Sequence, residues 1–317
     1  MLSLNISMPI PENVRKILFS QQYRIVGNHS AVKVCHWTKK SLSENKVCFK
    51  EKWYGIKSHR CMEFSPNVIW CDHRCLWCWR IQSNDRENVS WKEFPFEEEP
   101  DEPKEILIKA IEERKKLLSG FKGNEKVDRK KWEEALVPTN IAISLSGEPC
   151  LYPKLSELIE EAHRMKMKSF LVTNGTFPEI LEKISLPWQL YITLPAPDEE
   201  TYIKACRPLI ENGWERINRS LELFPSLNCR KAIRLTLVKD LNLKSPQNYA
   251  KLILKAEPDF VEVKSYMHVG ESQRRLKKEN MPSMDEIRDF ARKISELISY
   301  EYKDEDEASR VVLLTKR

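Results

Sequence analysis

The segment WCDHRCLWCWR, residues 70–80, places Cys71, Cys75 and Cys78 within eleven positions. A structural zinc site usually takes four ligands, whereas this stretch supplies three thiols. His73 lies between two of them, which is an awkward spacing for a ligand to the same metal. Three thiolates suit a cubane iron–sulfur cluster with one iron left open. A zinc knuckle, or cysteines that are merely buried, are the alternatives.

The whole chain has the composition of a globular protein with a core. It has 317 residues, of which 41% are hydrophobic and 32% charged. No apolar run approaches the ~18 residues that span a bilayer, and the N-terminus lacks the features of a signal peptide. We therefore expect a cytoplasmic protein without membrane contact. In a reducing compartment, nine cysteines indicate metal binding or catalysis rather than disulfides.

Strands and helices alternate through most of the chain. Strands are predicted at 67–70, 141–146, 169–174, 189–194, 232–238 and 260–266. Helices are predicted at 11–21, 106–118, 155–167, 178–184, 199–224, 246–256 and 284–299. This order implies a parallel sheet with right-handed crossovers, either a barrel or a doubly wound sheet. In both, the working site lies at the carboxyl ends of the strands.

Polar residues follow the predicted strands at those ends. The cysteine cluster follows the first strand, SGEP (146–149) the second and TNG (173–175) the third. Further polar residues near the last strand ends are Arg234, Thr236, Lys264, Tyr266 and His268. The thiols are therefore expected on the same rim as these groups.

A second set of cysteines is spread over the N-terminal region. Cys35, Cys48 and Cys61 are separated by thirteen residues twice. They are too far apart for one tight knuckle, although a folded segment could bring them together. Scattered cysteines are commonly small core residues, so the spacing alone leaves both interpretations open.

The spacing C-x3-C-x2-C followed by SGEP resembles the radical S-adenosylmethionine superfamily over roughly residues 66–270. The resemblance implies an α/β fold, a partial (β/α)6 TIM-type barrel. It implies a [4Fe-4S] cluster on the three clustered cysteines and S-adenosyl-L-methionine chelated to its open iron. SGEP is similar to the superfamily's Gly-Gly-Glu motif, with a serine in the first place. The implied cofactor-binding residues are Ser146, Gly147, Glu148, Asn174, Thr236 and Lys264.

Longer motifs indicate one family within this superfamily. AVKVCHW, CFKEKWYGIKSHRC, SLSGEP, VTNG and VKSYMHVGESQRRL together resemble the 4-demethylwyosine synthase family from about residue 12 to 312. The resemblance implies a second, auxiliary [4Fe-4S] cluster on Cys35, Cys48 and Cys61, close to pyruvate. It also implies that Lys50 engages pyruvate as a Schiff base, with Lys52 as a neighbouring rival and a solvated surface lysine as the plain alternative.

The family's activity is the further implication. The substrate is tRNA(Phe) with N1-methylguanosine beside the anticodon, and pyruvate is the second substrate. A radical formed at the N1-methyl group attacks the pyruvate carbonyl carbon, the carboxyl carbon leaves, and ring closure expels water. The enzyme would be a carbon–carbon bond-forming lyase. We expect a monomer. A separate electron donor is also implied, because this chain has no room for the flavodoxin-like domain of eukaryotic relatives.

Basic residues near the C-terminus are the expected tRNA contacts: His268, Arg274, Arg275, Lys277 and Lys278. The target base must leave its stack, and Trp77, Trp79 or Tyr266 are candidates to face it. A basic run is more often a solvated surface, and tryptophans are more often core residues.

The expected domains are an N-terminal cluster-binding extension (1–65), the barrel (66–270) and a C-terminal extension with tRNA contacts and a helix (271–317). Cys150, Cys206 and Cys229 fit neither trio and are interpreted as structural. Thr193-Leu194-Pro195-Ala196 departs from the Ser-Leu-Asp-Ala of relatives. Another radical enzyme, an activase or a peptide-modifying enzyme, and a zinc-bearing RNA-binding protein are the alternative functions.

Overall fold

The computed structural model describes residues 9–317. They form two compact units. The first contains the chain up to Trp70 together with Arg86–Lys168, and the second contains Cys71–Asp85 together with Ser169–Arg317. The segment that carries Cys71, Cys75 and Cys78 therefore belongs to the second unit, which is built mainly from the C-terminal half of the sequence.

The first unit is a small sheet with helices. Its helices are α1 (Glu12–Ser20), α2 (His36–Ser43), α3 (Phe49–Tyr54), α4 (Pro103–Ser119), α5 (Arg129–Ala135) and α6 (Leu155–Arg164). Its strands are β1 (Arg24–Val26), β2 (Ser30–Lys33), β3 (Cys61–Ser65) and β4 (Asn140–Ile143). β1, β2 and β3 pair antiparallel, and β3 pairs parallel to β4 with Cys61 opposite Asn140. Helix α4 contacts β1, β2 and β3 and buries Ile106, Leu107 and Ala110.

The second unit is a larger sheet. Its strands are β5 (Lys168–Thr173), β6 (Gln189–Thr193), β7 (Arg230–Leu237), β8 (Phe260–Ser265), β9 (Glu301–Asp306) and β10 (Val311–Thr315). Its helices are α7 (Pro178–Leu181), α8 (Glu199–Cys206), α9 (Gly213–Leu223), α10 (Pro246–Ala256) and α11 (Met284–Ile298). β5 to β8 are parallel neighbours in sequence order, and β10 and then β9 extend the sheet antiparallel beyond β8. The parallel strands read as apolar runs because helices cover such sheets on both faces.

Charged residues also lie on the parallel strands β7 and β8. Arg234 is paired in register with Glu262, and Thr236 with Lys264. The guanidinium of Arg234 lies 2.8 Å from the Glu262 carboxylate, which is fully buried and accepts a hydrogen bond from Tyr191 at 3.0 Å. A buried carboxylate needs such partners, because desolvation of an isolated charge is costly.

Helix α11 shows how the sequence fixes an element. Ser283 and Glu286 form a capping box at its N-terminus, which satisfies two backbone donors that lack partners within the helix. Its apolar residues recur at helical spacing and bury Ile287, Phe290 and Ile294. That face contacts α10, β8 and β10.

Most predicted elements are confirmed within a few residues, and α10 has the predicted bounds. The strand predicted at 67–70 is wrong, because these residues form a turn closed by Trp70 N donating to Asn67 O at 3.1 Å. The strand at this point of the chain is β3, six residues earlier. The sequence analysis also missed the short elements β1, β2, α2, α3 and α5.

The C-terminal extension differs from the predicted helical one. Helix α11 is followed by the antiparallel pair β9 and β10, of which β10 pairs with β8. The boundaries predicted at residues 65 and 270 stay a prediction. Among residues 9–317, no helix is both long enough and apolar enough to cross a membrane.

Candidate active site

The loop trio, Cys71, Cys75 and Cys78, lies on a segment of the second unit that the main chain fixes in place. Arg74 N donates to Cys206 O at 2.8 Å, and Leu76 N donates to Ala205 O at 2.9 Å. The three thiols are partly buried and form no disulfide. The backbone on both sides of Cys75 is therefore held against the C-terminus of α8.

Arg275 closes the other end of this segment. Its guanidinium donates to Asp85 and to the carbonyl oxygen of Cys78, and its Nε donates to Leu76 O at 3.3 Å. Its side chain is only 6% exposed. Burial raises the pKa of the Cys78 thiol, and the cations Arg80 and Arg275 oppose that rise. Cations at this position favour thiolate, the form that binds iron.

Asp72 connects the loop to the end of strand β5. This fully buried carboxylate accepts hydrogen bonds from Asn174 Nδ2 and Thr176 Oγ1, both at 2.7 Å. The predicted cofactor residue Asn174 therefore orients the cysteine segment through its amide. The neighbouring His73 is bonded through Nε2 to Tyr202 OH at 2.7 Å.

The SGEP turn is a feature of the first unit. Ser146 Oγ donates to Val68 O at 2.7 Å, and Glu148 N donates to Trp70 O at 2.9 Å. Gly147 has φ +73°, and an added Cβ would lie 2.2 Å from Asn67 O. Only glycine fits this turn, because other residues rarely adopt that φ and the carbonyl leaves no room. The carbonyl oxygens of Val68 and Trp70 thus bind the SGEP turn and not a neighbouring strand.

The second trio, Cys35, Cys48 and Cys61, comes from three elements of the first unit. Cys35 caps the N-terminus of α2, where its sulfur accepts from Thr38 N at 3.3 Å, and Cys48 occupies the corresponding position of α3. Cys61 opens β3. Helix N-termini favour negative charge, although burial still raises the pKa of Cys35.

The three thiols are partly buried and lie close enough for their charges to affect one another. Burial raises the pKa of Cys61 to about 12, and it raises that of Cys35 as well. The charges of Cys48 and Cys61 further raise the pKa of Cys35. A metal centre that binds these thiols as thiolates would offset this repulsion and displace their protons. The residues present therefore fit a cluster.

Lys50 in α3 lies next to this second trio. It is half-buried, whereas Lys52 on the same helix is exposed. Its positive charge lowers the pKa of Cys61 and of Glu63, against the larger effect of burial, which raises the pKa of Glu63 to about 7. Glu63 is a functional candidate that sequence reasoning missed; its position two residues after Cys61, on the same strand face, was the available signal.

The comparisons with known proteins agree with this geometry. The radical SAM superfamily matches residues 68–253, and the family described as wyosine base formation matches residues 255–316. The S-adenosyl-L-methionine-dependent tRNA 4-demethylwyosine synthase of Pyrococcus horikoshii is 51% identical, over 97% of this chain and 90% of that protein. The chain belongs to the tRNA 4-demethylwyosine synthase family.

Other members of the 4-demethylwyosine synthase family show the same extent of similarity. The synthase of Methanocaldococcus jannaschii is 43% identical over 96% of each chain. A solved structure of TYW1 with a lysine-pyruvate adduct bound has a TM-score of 0.86 and 40% identity, covering 97% of this chain and 96% of that one. An archaeal TYW1 crystal structure has a TM-score of 0.79 and 37% identity, covering 96% of each chain.

Membership of the 4-demethylwyosine synthase family confirms the fold class expected from the sequence, the α/β partial barrel of radical SAM enzymes. It also makes the chain a radical SAM enzyme of the wyosine pathway, which uses a [4Fe-4S] cluster and S-adenosyl-L-methionine. The loop trio fits that cluster, since it offers three thiols on one anchored segment.

The remaining predicted cofactor residues of this family member lie on β7 and β8. Thr236 is half-buried on β7. The ammonium of Lys264 donates to Ser309 O, within the C-terminal extension. Lys264 is thus already engaged by the main chain, and its binding of the cofactor stays a prediction, as does that of Thr236.

The predicted tRNA contacts fall into two groups. Lys277 and Lys278 are exposed, and Arg274 is exposed while paired with Glu271 at 3.0 Å. His268 is half-buried and shares a hydrogen bond of 2.9 Å with Tyr266 OH. Phosphate binding requires an accessible cation. Arg275 does not meet this requirement, because its side chain is buried and bonded to the cysteine segment.

The aromatic residues predicted to stack on the target base differ in their exposure. Tyr266 is 1% exposed, and its hydroxyl donates to Ser272 Oγ at 3.2 Å. A ring buried to this extent has no face left for a nucleobase. Trp79 is 39% exposed and Trp77 is half-buried, so these two remain candidates for stacking.

Proposed function

We propose that this chain is a tRNA 4-demethylwyosine synthase that converts N1-methylguanosine beside the anticodon of tRNA(Phe), with pyruvate, into the tricyclic 4-demethylwyosine. The observation that carries this proposal is the position of Lys50, half-buried beside Cys61 and Glu63 in a chain of this family. In this proposal the enzyme is a carbon–carbon bond-forming lyase, monomeric, and served by a separate electron donor.

The two trios would hold separate clusters. Cys71, Cys75 and Cys78 hold the radical SAM cluster, and the second trio holds an auxiliary one. When bound, the first cluster and S-adenosyl-L-methionine supply a radical that removes hydrogen from the N1-methyl group of the guanine. What supports the auxiliary cluster is a set of contacts through Ser58: Cys48 N donates to its Oγ at 2.9 Å, and Thr38 Oγ1, which lies 3.3 Å from the Cys35 sulfur, donates to its carbonyl oxygen at 2.9 Å.

The first unit would bind part of S-adenosyl-L-methionine through the SGEP turn. Gly147 lets this turn pack closely against the carbonyls of Asn67 and Trp70, which fixes the shape of the turn. Glu148 is 2% exposed, and its carboxylate accepts from Cys150 N at 3.1 Å. A carboxylate held in this way is preorganised to accept a hydrogen bond from the ammonium of the cofactor's methionine part.

Lys50 would bind pyruvate covalently. Its amine attacks the carbonyl carbon of pyruvate, and loss of water leaves a carbon–nitrogen double bond between them. Binding as a Schiff base is a standard use of lysine with carbonyl substrates. Glu63 faces the same place and balances the charge of Lys50 when pyruvate is absent. A TYW1 structure with a lysine-pyruvate adduct supports a lysine in this role.

Borohydride trapping tests the role of Lys50. The reconstituted protein is incubated with 13C-labelled pyruvate, reduced, and analysed by peptide mass spectrometry. We expect the label on Lys50 and its loss in Lys50→Met. Lys52→Met is the matched control, since Lys52 lies on the same helix but is exposed. Label that persists in Lys50→Met and disappears in Lys52→Met would refute this assignment.

Metal analysis and turnover test the rest of the proposal. Two cubane clusters require about eight irons per chain after anaerobic reconstitution, and one cluster requires about four. Incubation with tRNA bearing N1-methylguanosine, pyruvate, S-adenosyl-L-methionine and a reductant should give the tricyclic base, detected by mass spectrometry of the nucleosides. The absence of product from protein with about eight irons and active cofactor cleavage would refute the proposed function.

The exposed cations Arg274, Lys277 and Lys278 would bind tRNA phosphates. Each phosphate contact that is lost should reduce the slope of log affinity against log salt by about 0.7–0.9. Replacing Lys277 and Lys278 by Ala should therefore weaken tRNA binding and flatten its salt dependence, measured by filter binding. Unchanged affinity and slope would place the tRNA surface elsewhere.

A further inference from the structure

Cys206 lies at the C-terminus of α8, against the loop trio, and the proposed chemistry makes no use of it. The sulfurs of Cys206 and Cys75 and a ring nitrogen of His73 all lie within 4.8 Å of one another. Cys206 is fully buried, and His73 is 2% exposed. Water therefore does not reach this thiol, which lies beside the cysteine segment and close enough to Tyr202 and Tyr249 to affect their pKa values.

The main chain fixes this contact on both sides of Cys75. Arg74 N donates to the carbonyl oxygen of Cys206 at 2.8 Å, and Leu76 N donates to that of Ala205 at 2.9 Å. A further bridge pairs His73 with Pro208. The backbone therefore holds Cys206 beside Cys75, and their sulfurs lie within 4.8 Å of each other.

A thiol in this position can act on a cluster without being its ligand. The S–H group is a weak hydrogen-bond donor, and hydrogen bonds to the sulfurs are among the factors that set the reduction potential of an iron–sulfur cluster. We propose that Cys206 is a positioning residue of the radical SAM cluster: its thiol donates a hydrogen bond to the Cys75 sulfur and makes that cluster easier to reduce.

The direction of the effect follows from charge. Reduction adds one electron to the cluster and breaks no bond, and the proton stays on Cys206. A donor at the Cys75 sulfur stabilises the form with the additional negative charge more than the oxidised form. Loss of the donor therefore shifts the equilibrium towards the oxidised cluster. The inference rests on the cluster of the superfamily and is independent of the roles proposed for pyruvate and tRNA.

The test is a redox titration of the full chain after anaerobic reconstitution, followed by electron paramagnetic resonance. The signal that changes when S-adenosyl-L-methionine is added reports this cluster and separates it from the auxiliary one. In Cys206→Ala we expect unchanged iron content and a reduced-to-oxidised ratio about three- to tenfold lower at a fixed solution potential. For one electron this is a shift of roughly 30–60 mV to more negative potential.

Two variants control the measurement. Cys206→Ser keeps a hydroxyl donor and should recover part of the ratio. Cys229→Ala removes a half-buried cysteine outside the cysteine segment and should match the wild type. A further readout is the iron–thiolate stretching frequency by resonance Raman spectroscopy, which should rise in Cys206→Ala because the Cys75 sulfur loses its donor.

Three results would overturn the inference. The first is an unchanged ratio in Cys206→Ala with iron retained. The second is loss of about four irons per chain from both Cys206 variants, which would make Cys206 a ligand or a folding determinant. If Cys206→Ala does not fold, Cys206→Ser decides: a wild-type or partly lowered ratio supports the proposal, and a ratio more than tenfold lower opposes it. None of these readouts uses tRNA or pyruvate, so failure here leaves the proposed function standing.

Discussion

The loop trio and the second trio present three thiols each, but different parts of the fold hold them. Cys71, Cys75 and Cys78 lie within eight consecutive residues that are anchored by α8 and Arg275. The second trio comes from two helix N-termini and the first residue of a strand. The first arrangement depends on a few anchoring contacts to one segment, and the second depends on the folding of the N-terminal region as a whole.

The largest expected effect is a difference between the two trios in the reaction step that fails when one cysteine is replaced. Cys71→Ala should abolish both cleavage of S-adenosyl-L-methionine and formation of the tricyclic base. Cys48→Ala should lower product formation by at least about 100-fold while cofactor cleavage persists. Each variant should lose about four irons per chain. Iron analysis, 5′-deoxyadenosine release and nucleoside mass spectrometry are the measurements; equal loss of cofactor cleavage in both variants would remove the distinction.

The next effect concerns the anchor of the loop trio. Arg275→Ala leaves Asp85 buried without its cation, and breaking a buried ion pair in this way typically costs about 3–5 kcal/mol. The side chains of Arg275 and Asp85 are 6% and 9% exposed. We expect lower stability in urea denaturation and selective loss of iron from the loop trio. Arg292→Ala is the control, because that side chain and its partner Asp289 are 61% and 67% exposed, so its loss should change stability by less than about 1 kcal/mol.

A smaller effect is expected at the SGEP turn, which belongs to the unit of the second trio. Gly147→Ala must adopt a positive φ and pushes a methyl group against Asn67 O, at a cost of at least about 2 kcal/mol. We expect weaker binding of S-adenosyl-L-methionine by isothermal titration calorimetry, with both clusters retained. Gly123→Ala is the control, since nothing lies within 4 Å of the added methyl group.

The smallest expected effect tests whether the second trio depends on a single side-chain contact. Thr38 is fully buried; its Oγ1 donates to Ser58 O at 2.9 Å and lies 3.3 Å from the Cys35 sulfur. Thr38→Val keeps the shape and removes the hydroxyl, which should destabilise the chain by about 1–2 kcal/mol. Iron content should stay unchanged in this variant; loss of the auxiliary cluster would show that the second trio is as dependent on one contact as the loop trio.

Sequence reasoning reached the loop trio because its ligand spacing is local. The second trio was predicted from the family resemblance alone, since a spacing of thirteen residues does not show whether the three thiols lie close together. Arg275 is predicted to bind RNA because it lies in a basic run; its actual partners, Cys78 and Asp85, are about 190 residues away in sequence. Glu63 was missed for a similar reason: its role becomes visible only when it is known which face of β3 points to Lys50.

The fold was predictable where the apolar pattern was regular. The parallel strands of the second unit read as apolar runs, and α10 begins with Ser-Pro at 245–246. The run at 67–70 misled because turn residues can be apolar when they are buried. Strand β9, EYKDED, has almost no apolar residue, so its pairing with β10 has no signature in hydrophobic periodicity.

The composition of β9 has a consequence for how this protein meets copies of itself. β9 is the last strand of its sheet, and a terminal strand exposes backbone groups that can template pairing with another molecule. Four acidic side chains and one lysine in six residues make such a pairing repulsive. The sheet thus stops at a strand that discourages fibril-like growth and rejects a second strand of the same sequence.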